Sequence, residues 1–380
     1  MARQNVGNPK FYIDMLSYWR TRGNVKGVGI ANLGNTPGSG GYAPQLIGLN
    51  PTDWIQQPFA VSPDDEQVPI ALEYQINLNR RSSISDRMTN TMFFGILGHN
   101  LMDFQLMNFN LFLQDQNQEY IYFSDDDGYD EICNFDPINT RPLFNGWSLG
   151  TFRAIVRDVK FIKFMFEGLM QIGTSAQALY TGSLCFGHVF QMPHSPDLNL
   201  TMTREYDGIR DQNTRGGSTI TQINYTNPPD WVGFPAWELS EESAHANVIS
   251  GIKEIRSPSR GRRIWDLEFS YVHSSDMFPV NELYGRGNPT DSDTNPDAGY
   301  AQIPFDSDGN FFENTETDSS FFSMLMEKTM GGALKFLFQP DGNNNSPDQF
   351  ALCVIDQKSF KFKQVANQVY NIKLKIKESW

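Results

Sequence analysis

From Tyr370 to Lys377, apolar and polar positions alternate without a break. Tyr370, Ile372, Leu374 and Ile376 fall on one side; Asn371, Lys373, Lys375 and Lys377 fall on the other. A period of two predicts a half-buried strand, because successive side chains leave opposite faces of a sheet. The same alternation sets Trp265, Leu267, Phe269 and Tyr271 against Asp266, Glu268 and Ser270. Between these two segments lie short apolar runs at Phe336 to Phe338, Phe350 to Ile355 and Phe360 to Phe362. Residues 261–380 thus predict an antiparallel β domain. Within it, 283–317 is an acidic loop rich in Asp, Asn and Pro, and Phe321 to Met330 is a helix. Asp318 caps that helix, Gly331-Gly332 ends it, and Phe322, Leu325 and Met326 mark its buried side.

The first half carries a second set of strand signals. Leu72, Tyr74, Ile76 and Leu78 alternate with Ala71, Glu73, Gln75 and Asn77; Thr91 to Leu97 is a mostly apolar run ending in Gly98-His99-Asn100-Leu101. Met107 to Leu113, Tyr120 to Phe123, Trp147 to Ile155, Val159 to Phe166 and Tyr180 to Phe190 continue the series. Short strands separated by turn signals read as a sandwich or jelly roll over residues 60–195. Residues 196–260, punctuated by Pro and Gly and holding Trp231 and Trp237, read as an extended connection along the second domain. Residues 1–59 read as a helix and an arm. Asn8 would cap a helix over residues 8–23, with Pro9 in its first turn, Gly23 at its end, and Phe11 or Tyr12, Met15, Leu16 and Trp19 on one face. Gly27 to Gly41, rich in Gly, Asn and Ser, reads as a loop. The fold class expected is all-β: two antiparallel β-sandwich or jelly-roll domains with a few short helices.

Composition narrows the partners. The 380 residues are 39% hydrophobic and only 19% charged. A charge-poor polar surface suits contact with other proteins, since fewer charges must be desolvated. Net charge is −14, which opposes binding to nucleic acid or to an anionic membrane. The same charge would let DNA slide through a conduit without sticking, by like-charge repulsion. No apolar run is long enough to span a bilayer, and the first residues lack a signal peptide's apolar core. Cys133, Cys185 and Cys353 are far apart and sit among apolar neighbours, as reduced, buried thiols made in a cytoplasm would be.

The candidate chemistry is thin. His99 has no nucleophile motif near it and reads, with Asn100, as a corner held by hydrogen bonds to backbone. His188 and His194, six apart, have only Asp197 nearby as a further metal ligand and read as a structural turn. The acidic turn with Asp125, Asp126, Asp127, Asp130 and Glu131 lacks EF-hand spacing, and Asp306-Ser307-Asp308-Gly309-Asn310 lacks the closing glutamate. The glycines at 38–41 are not followed by the Lys-Ser/Thr of a phosphate loop. Arg260-Gly261-Arg262-Arg263 reads equally as an anion site and as an ion-pair contact with a neighbouring acidic subunit or loop. No catalytic, cofactor-binding or metal-ligating residue is therefore assigned, and no cofactor; the chain reads as a non-enzyme.

Several strings nevertheless resemble a known class. Ile96-Leu97-Gly98-His99-Asn100-Leu101 and Arg157-Asp158-Val159-Lys160-Phe161-Ile162 are similar to galactose-binding-like β-sandwich modules of tailed-bacteriophage tail and baseplate proteins. Gly187 to Leu198 resembles the exit of such a module, and Gly261 to Tyr271 the opening strand of the next domain in the same proteins. Gly331 to Pro340 and the closing strand from Val369 to Ile372 look similar too. The resemblance covers about residues 60–380. It implies a structural virion subunit at a tail tip, baseplate or tail adaptor, assembling with other tail subunits as a homo-oligomeric ring. A carbohydrate- or receptor-binding module and a capsid decoration protein are the alternatives. Sugar binding does not carry over, although an exposed loop aromatic such as Tyr129 would be its first test.

Overall fold

The computed structural model describes residues 6–32, 41–50, 55–58, 67–82, 91–99, 101, 105–115, 117–118, 120–121, 130–133, 146–153, 159–171, 178–198, 200–205, 209–223, 248–249, 252–253, 262–278, 319–345 and 349–379. Within these residues the fold is all-β, and every strand pairing is antiparallel.

The first half contributes β1 (Lys10–Asp14), β2 (Val25–Asn32), β3 (Gly41–Tyr42), β4 (Ile55–Pro58), β5 (Gln67–Ser82) and β6 (Thr91–His99). It continues with β7 (Gln105–Gln114), β8 (Tyr120–Ile121), β9 (Asp130–Cys133), β10 (Gly146–Arg153), β11 (Val159–Gln171) and β12 (Ala178–Gln191). Eight of these strands form a sandwich. One layer runs β1-β12-β6-β10 and the facing layer runs β5-β11-β7-β8. Counted in chain order, the layers read 1-8-3-6 and 2-7-4-5, which is the strand order of an eight-stranded jelly roll. The β2 and β3 strands extend the second layer beyond β5, and β9 extends the first beyond β10.

The alternation expected over residues 71–78 holds, with Leu72, Tyr74, Ile76 and Leu78 all buried. With Phe109, Phe164 and Phe166 of their own layer they meet Phe94, Phe152 and Phe186 of the facing layer in the sandwich core. A separate cluster lies elsewhere on the β6-β12 layer, where Phe93, Leu97, Trp147, Leu149, Cys185 and Val189 meet Phe350 and Leu352. Successive residues of β6 therefore enter different cores, which is why it reads as a continuous apolar run rather than an alternation.

Two expectations for the N-terminal stretch are corrected. Residues 8–23 are not one helix: Lys10–Asp14 is a strand, followed by helix α1 (Met15–Thr21). The β1 strand pairs with β12 from Lys10↔Gln191 to Asp14↔Gly187, and with β19 (Phe336–Gln339) from Lys10↔Gln339 to Tyr12↔Leu337. Neighbours on both edges satisfy its backbone groups, which outweighs helix propensity in so short a run. The cap moves from Asn8 to Asp14, whose carboxylate accepts from the N–H groups of Leu16 and Ser17 at 3.3 and 3.0 Å. Nor is Gly27 to Gly41 a loop throughout. Val25–Asn32 is β2, registered on β5 with Val28 opposite Ile76 and Ile30 opposite Tyr74; residues 33–40 lie outside the described residues. The first sandwich therefore draws its first strand from the stretch read as helix and arm.

The C-terminal half supplies β13 (Thr201–Glu205), β14 (Ile209–Asn213), β15 (Thr219–Ile223), β16 (Val248–Ile249), β17 (Ile252–Lys253) and β18 (Arg262–His273). After β19 come β20 (Ala351–Ile355), β21 (Phe362–Ala366) and β22 (Val369–Glu378). The order β13-β18-β22-β20-β19 continues through β1 into the first layer of the sandwich, so that one twelve-stranded sheet joins both halves. The β1 segment and its helix feed all three cores. Phe11 and Ile13 enter the C-terminal cluster, Tyr12 the cluster around Trp147, and Met15, Leu16, Tyr18 and Trp19 the sandwich. The Tyr12 hydroxyl donates to Gln339 Oε1 at 2.7 Å, and Gln339 Nε2 donates to the Asn344 carbonyl at 2.8 Å, so this polar contact is satisfied.

Two details of the C-terminal half also differ from expectation. Trp265, Leu267 and Phe269 are buried, but Tyr271 is 76% exposed. The pairing of β18 with β22 slips between Phe269 and Val272, and Tyr271 takes φ of +63°. A bulge of this kind re-aims one side chain to the other face. The helix expected from Phe321 is a π-helical segment over Phe322–Glu327. Phe321, Met324 and Leu325 are buried there, while Phe322 and Met326 are only half-buried, because more residues per turn shift the inward face. Asp318 lies outside the described residues; Ser320 receives the Met324 N–H on its carbonyl at 2.9 Å. Gly331 and Gly332, with φ of +69° and +86°, end the segment as expected.

Candidate assembly surface

The polar side of the C-terminal sheet is a patchwork of paired charges. Period two turns Lys373, Lys375 and Lys377 of β22 away from the core that holds Ile372, Leu374 and Ile376. Register then sets Lys373 opposite Glu268 of β18, and their side chains meet at 2.9 Å. Lys375 reaches Asp356 at 3.0 Å, and Lys377 reaches Glu205 of β13 at 2.5 Å. The lysine row read from the sequence is thus neutralised within the sheet, which leaves it a poor polyanion site. Exposed pairs of this type stabilise weakly but fix which faces repel and which attract.

The arginine cluster resolves differently. Arg260 and Gly261 lie outside the described residues, but Arg263 is buried against Glu378. Its Nη2 donates to Glu378 Oε1 at 2.9 Å and its Nε to Oε2 at 3.1 Å, a two-pronged pairing. Nη2 also donates to the Phe350 carbonyl at 2.7 Å, and the guanidinium lies 5.2 Å from the Trp265 ring centre. At Arg263 the anion is the chain's own carboxylate, so this residue pins the end of β22 to the start of β18.

His99 is buried at the end of β6. Leu101 N–H donates to its Nδ1 at 3.2 Å, so Nε2 carries the proton and donates to Ser148 Oγ at 2.8 Å. Burial pushes the imidazole down to about 3, against a smaller upward pull from the Trp147 backbone. The opposite case lies at Asp14, which burial raises to about 6 despite hydrogen bonds from Ser17, Phe186 and Leu16. Their effects on stability oppose each other. The unfolded imidazole binds a proton below about 6.5 and the folded one only near 3, so His99 loses stability as pH falls through that window. Folded Asp14 holds its proton up to about 6, so its contribution is present below 3.8 and lost as pH rises through 6. Between pH 6 and 4 the two largely cancel. Asp14→Asn should therefore steepen the acid loss, its deficit against the wild type growing by about 2 kcal/mol from pH 6 to pH 4. Urea midpoints at pH 4, 5 and 6 measure this, and parallel curves for the two proteins would refute it.

The other candidates scatter. His188 is buried within β12 opposite Ile13, whereas His194 sits beyond the strand with Nδ1 2.8 Å from the Ser195 carbonyl and its ring 6.0 Å from Phe269. Asp197 accepts from the Ser270 hydroxyl at 2.6 Å and is committed to holding the connection onto β18. Asn100, residues 122–129, the segment 306–310, Trp231 and Trp237 lie outside the described residues; Asp130 and Glu131 are in β9. Among the described residues no three His, Cys, Asp or Glu side chains gather as a metal set, and no helix is long and apolar enough to cross a membrane. No protein-family model, curated protein or solved structure matches the chain.

What the sequence reading missed is a set of exposed apolar side chains on the strands of the charge ladder. Leu198 is 77% exposed and Met202 50%, both at the β13 edge; Tyr271 stands at the β18 bulge and Val365 on β21. The registers place Met202 level with Trp265 and Ile376, and Tyr271 and Val365 near the other end of β22. Tyr271 was hidden because alternation alone assigned it inward.

Proposed function

We propose that this chain is a structural subunit of a virus particle and works by protein–protein assembly. The observation that carries the reading is the strand order 1-8-3-6 facing 2-7-4-5, the jelly roll shared by viral shell proteins, lectins and cupins. A fold alone does not assign a function, and the interior narrows the choice. Six phenylalanines fill the space between the layers, in the core where a cupin would hold its metal. The charge-poor composition and the exposed apolar side chains Leu198, Met202, Tyr271 and Val365 suit contacts with other subunits.

Within a particle, the string resemblance favours a tail tip, baseplate or adaptor ring. The jelly-roll order is a specific observation in favour of a second position, the shell itself. Gold-labelled antiserum raised against the whole chain and applied to particles from the source lysate separates these. Label at the tail end is the outcome for a ring subunit, and label over the head is the outcome for a shell protein. Particles without label, alongside free protein that the antiserum detects, would end the virion reading.

A further inference from the structure

Among the described residues, the β21 strand is held along one edge only: it pairs with β22 and with no other strand. Phe362 anchors it, with ring contacts to Phe278 at 5.0 Å and to Phe321 at 6.4 Å. Phe360 also packs against the C-terminal core. Period two then turns Lys361 and Lys363 outward, with Lys358 exposed in the preceding turn. Lys373, Lys375 and Lys377 each have a carboxylate partner; among the described residues, Lys358, Lys361 and Lys363 have none. After Lys363 the residues Gln364, Val365 and Ala366 are exposed in succession, so both faces of the strand's end are open. Across β22, Lys363 is registered on Asn371, and Asn371 Oδ1 accepts the Tyr271 N–H at 3.1 Å. Lys363, Asn371 and the exposed Tyr271 thus form one row over three strands.

An edge strand offers a line of free N–H and C=O groups that an extended segment can complete. Charge selects what that segment should be. Lys358, Lys361 and Lys363 are three cations within six residues that hold no acid, in a chain with 44 acidic residues and a net charge of −14. A second copy therefore presents predominantly the opposite charge to this strip. Nucleic acid would also offer anions, but the charge of the whole chain repels a polyanion.

We propose that the free edge of β21 is a docking strip for an acidic extended segment of a second copy of this chain. Lys358, Lys361 and Lys363 would take its carboxylates, and Tyr271 and Val365 its apolar side chains. The inference rests on the assembly reading above and adds to it the surface that one copy offers the next.

The test uses the full chain. Unlabelled and 15N-labelled protein are mixed, joined with a zero-length carbodiimide cross-linker, and digested for mass spectrometry. Mixed-isotope links from Lys358, Lys361 or Lys363 to Asp or Glu are the expected result; links confined to one isotope overturn the proposal. The variant Lys358→Glu/Lys361→Glu/Lys363→Glu should keep the wild-type melting curve, because these side chains hold no described contact. In sedimentation velocity at low salt it should self-associate at least tenfold more weakly, and wild-type association should weaken as salt rises. A variant that assembles as tightly as the wild type removes the strip and leaves the assembly reading standing. Wild-type protein that stays monomeric at all concentrations removes both. If the wild type binds a labelled oligonucleotide and the variant loses only that, the strip is a nucleic-acid site and the proposal fails.

Discussion

Gly187→Ala should destabilise the chain by about 4 kcal/mol, above the usual cost of overpacking, or prevent it from accumulating folded. A Cβ at this position would lie 1.9 Å from the Ile13 carbonyl oxygen and 2.9 Å from the Met15 nitrogen. Both are backbone atoms, so no rotamer change can make room. Relief requires β1 to separate from β12 where Asp14 faces Gly187 and Ile13 faces His188. That movement would also pull the Asp14 carboxylate away from the Phe186 N–H, now 3.2 Å from it. Gly29→Ala is the control. Its added carbon meets only the Gln75 carbonyl, at 3.8 Å, and a strand glycine so replaced should be neutral or slightly stabilising. Urea unfolding of the two variants checks the pair. Equal midpoints would mean that the β1–β12 contact is looser than the geometry requires.

Breaking the Arg263–Glu378 pair ranks next. Arg263→Ala should cost ~3–5 kcal/mol, because it leaves the Glu378 carboxylate buried without its partner. The Phe350 carbonyl loses a donor in the same step. Replacing both residues with apolar ones, Arg263→Met with Glu378→Leu, should recover most of the loss, since neither charge then remains to be desolvated. A double-mutant cycle by chemical denaturation measures the coupling. A cost below about 1 kcal/mol for the single change would place the pair among exposed, weakly stabilising ones, against the burial of both side chains.

How far these features could be read in advance depends on how local they are. The strands β5, β18 and β22 were legible because each has one buried and one polar face, so period two survives in the residue order. The β1 strand was not, because Phe11, Tyr12 and Met15 satisfy a helical spacing as well as a strand spacing over five residues. What decides between them is β12 and β19, which lie 170 residues and more along the chain. Glycines at 27 and 29 disguised β2 as a loop, although its partner β5 supplies the regularity. On the candidate surface the outward lysines of β22 were legible. Their acids were not, since Glu205, Glu268 and Asp356 come from three separate parts of the chain. The Tyr271 bulge was invisible because a one-residue slip leaves no mark on hydrophobic order.

The position of β1 between the two halves also bears on synthesis. Lys10–Asp14 leaves the ribosome before almost everything it touches, yet β19 follows it by more than 300 residues. Until Phe336–Gln339 emerges, one edge of β1 has no partner and Phe11 has no C-terminal core to enter. The nascent chain must therefore carry an open, aromatic-rich strand through most of translation, the kind of edge that invites wrong pairings. Closure waits for the end of the polypeptide and is slow by the length of the loop it must close. Nascent chains stalled ahead of residue 336 should remain sensitive to protease around residues 10–14, and those that extend past the exit tunnel with β19 complete should resist it.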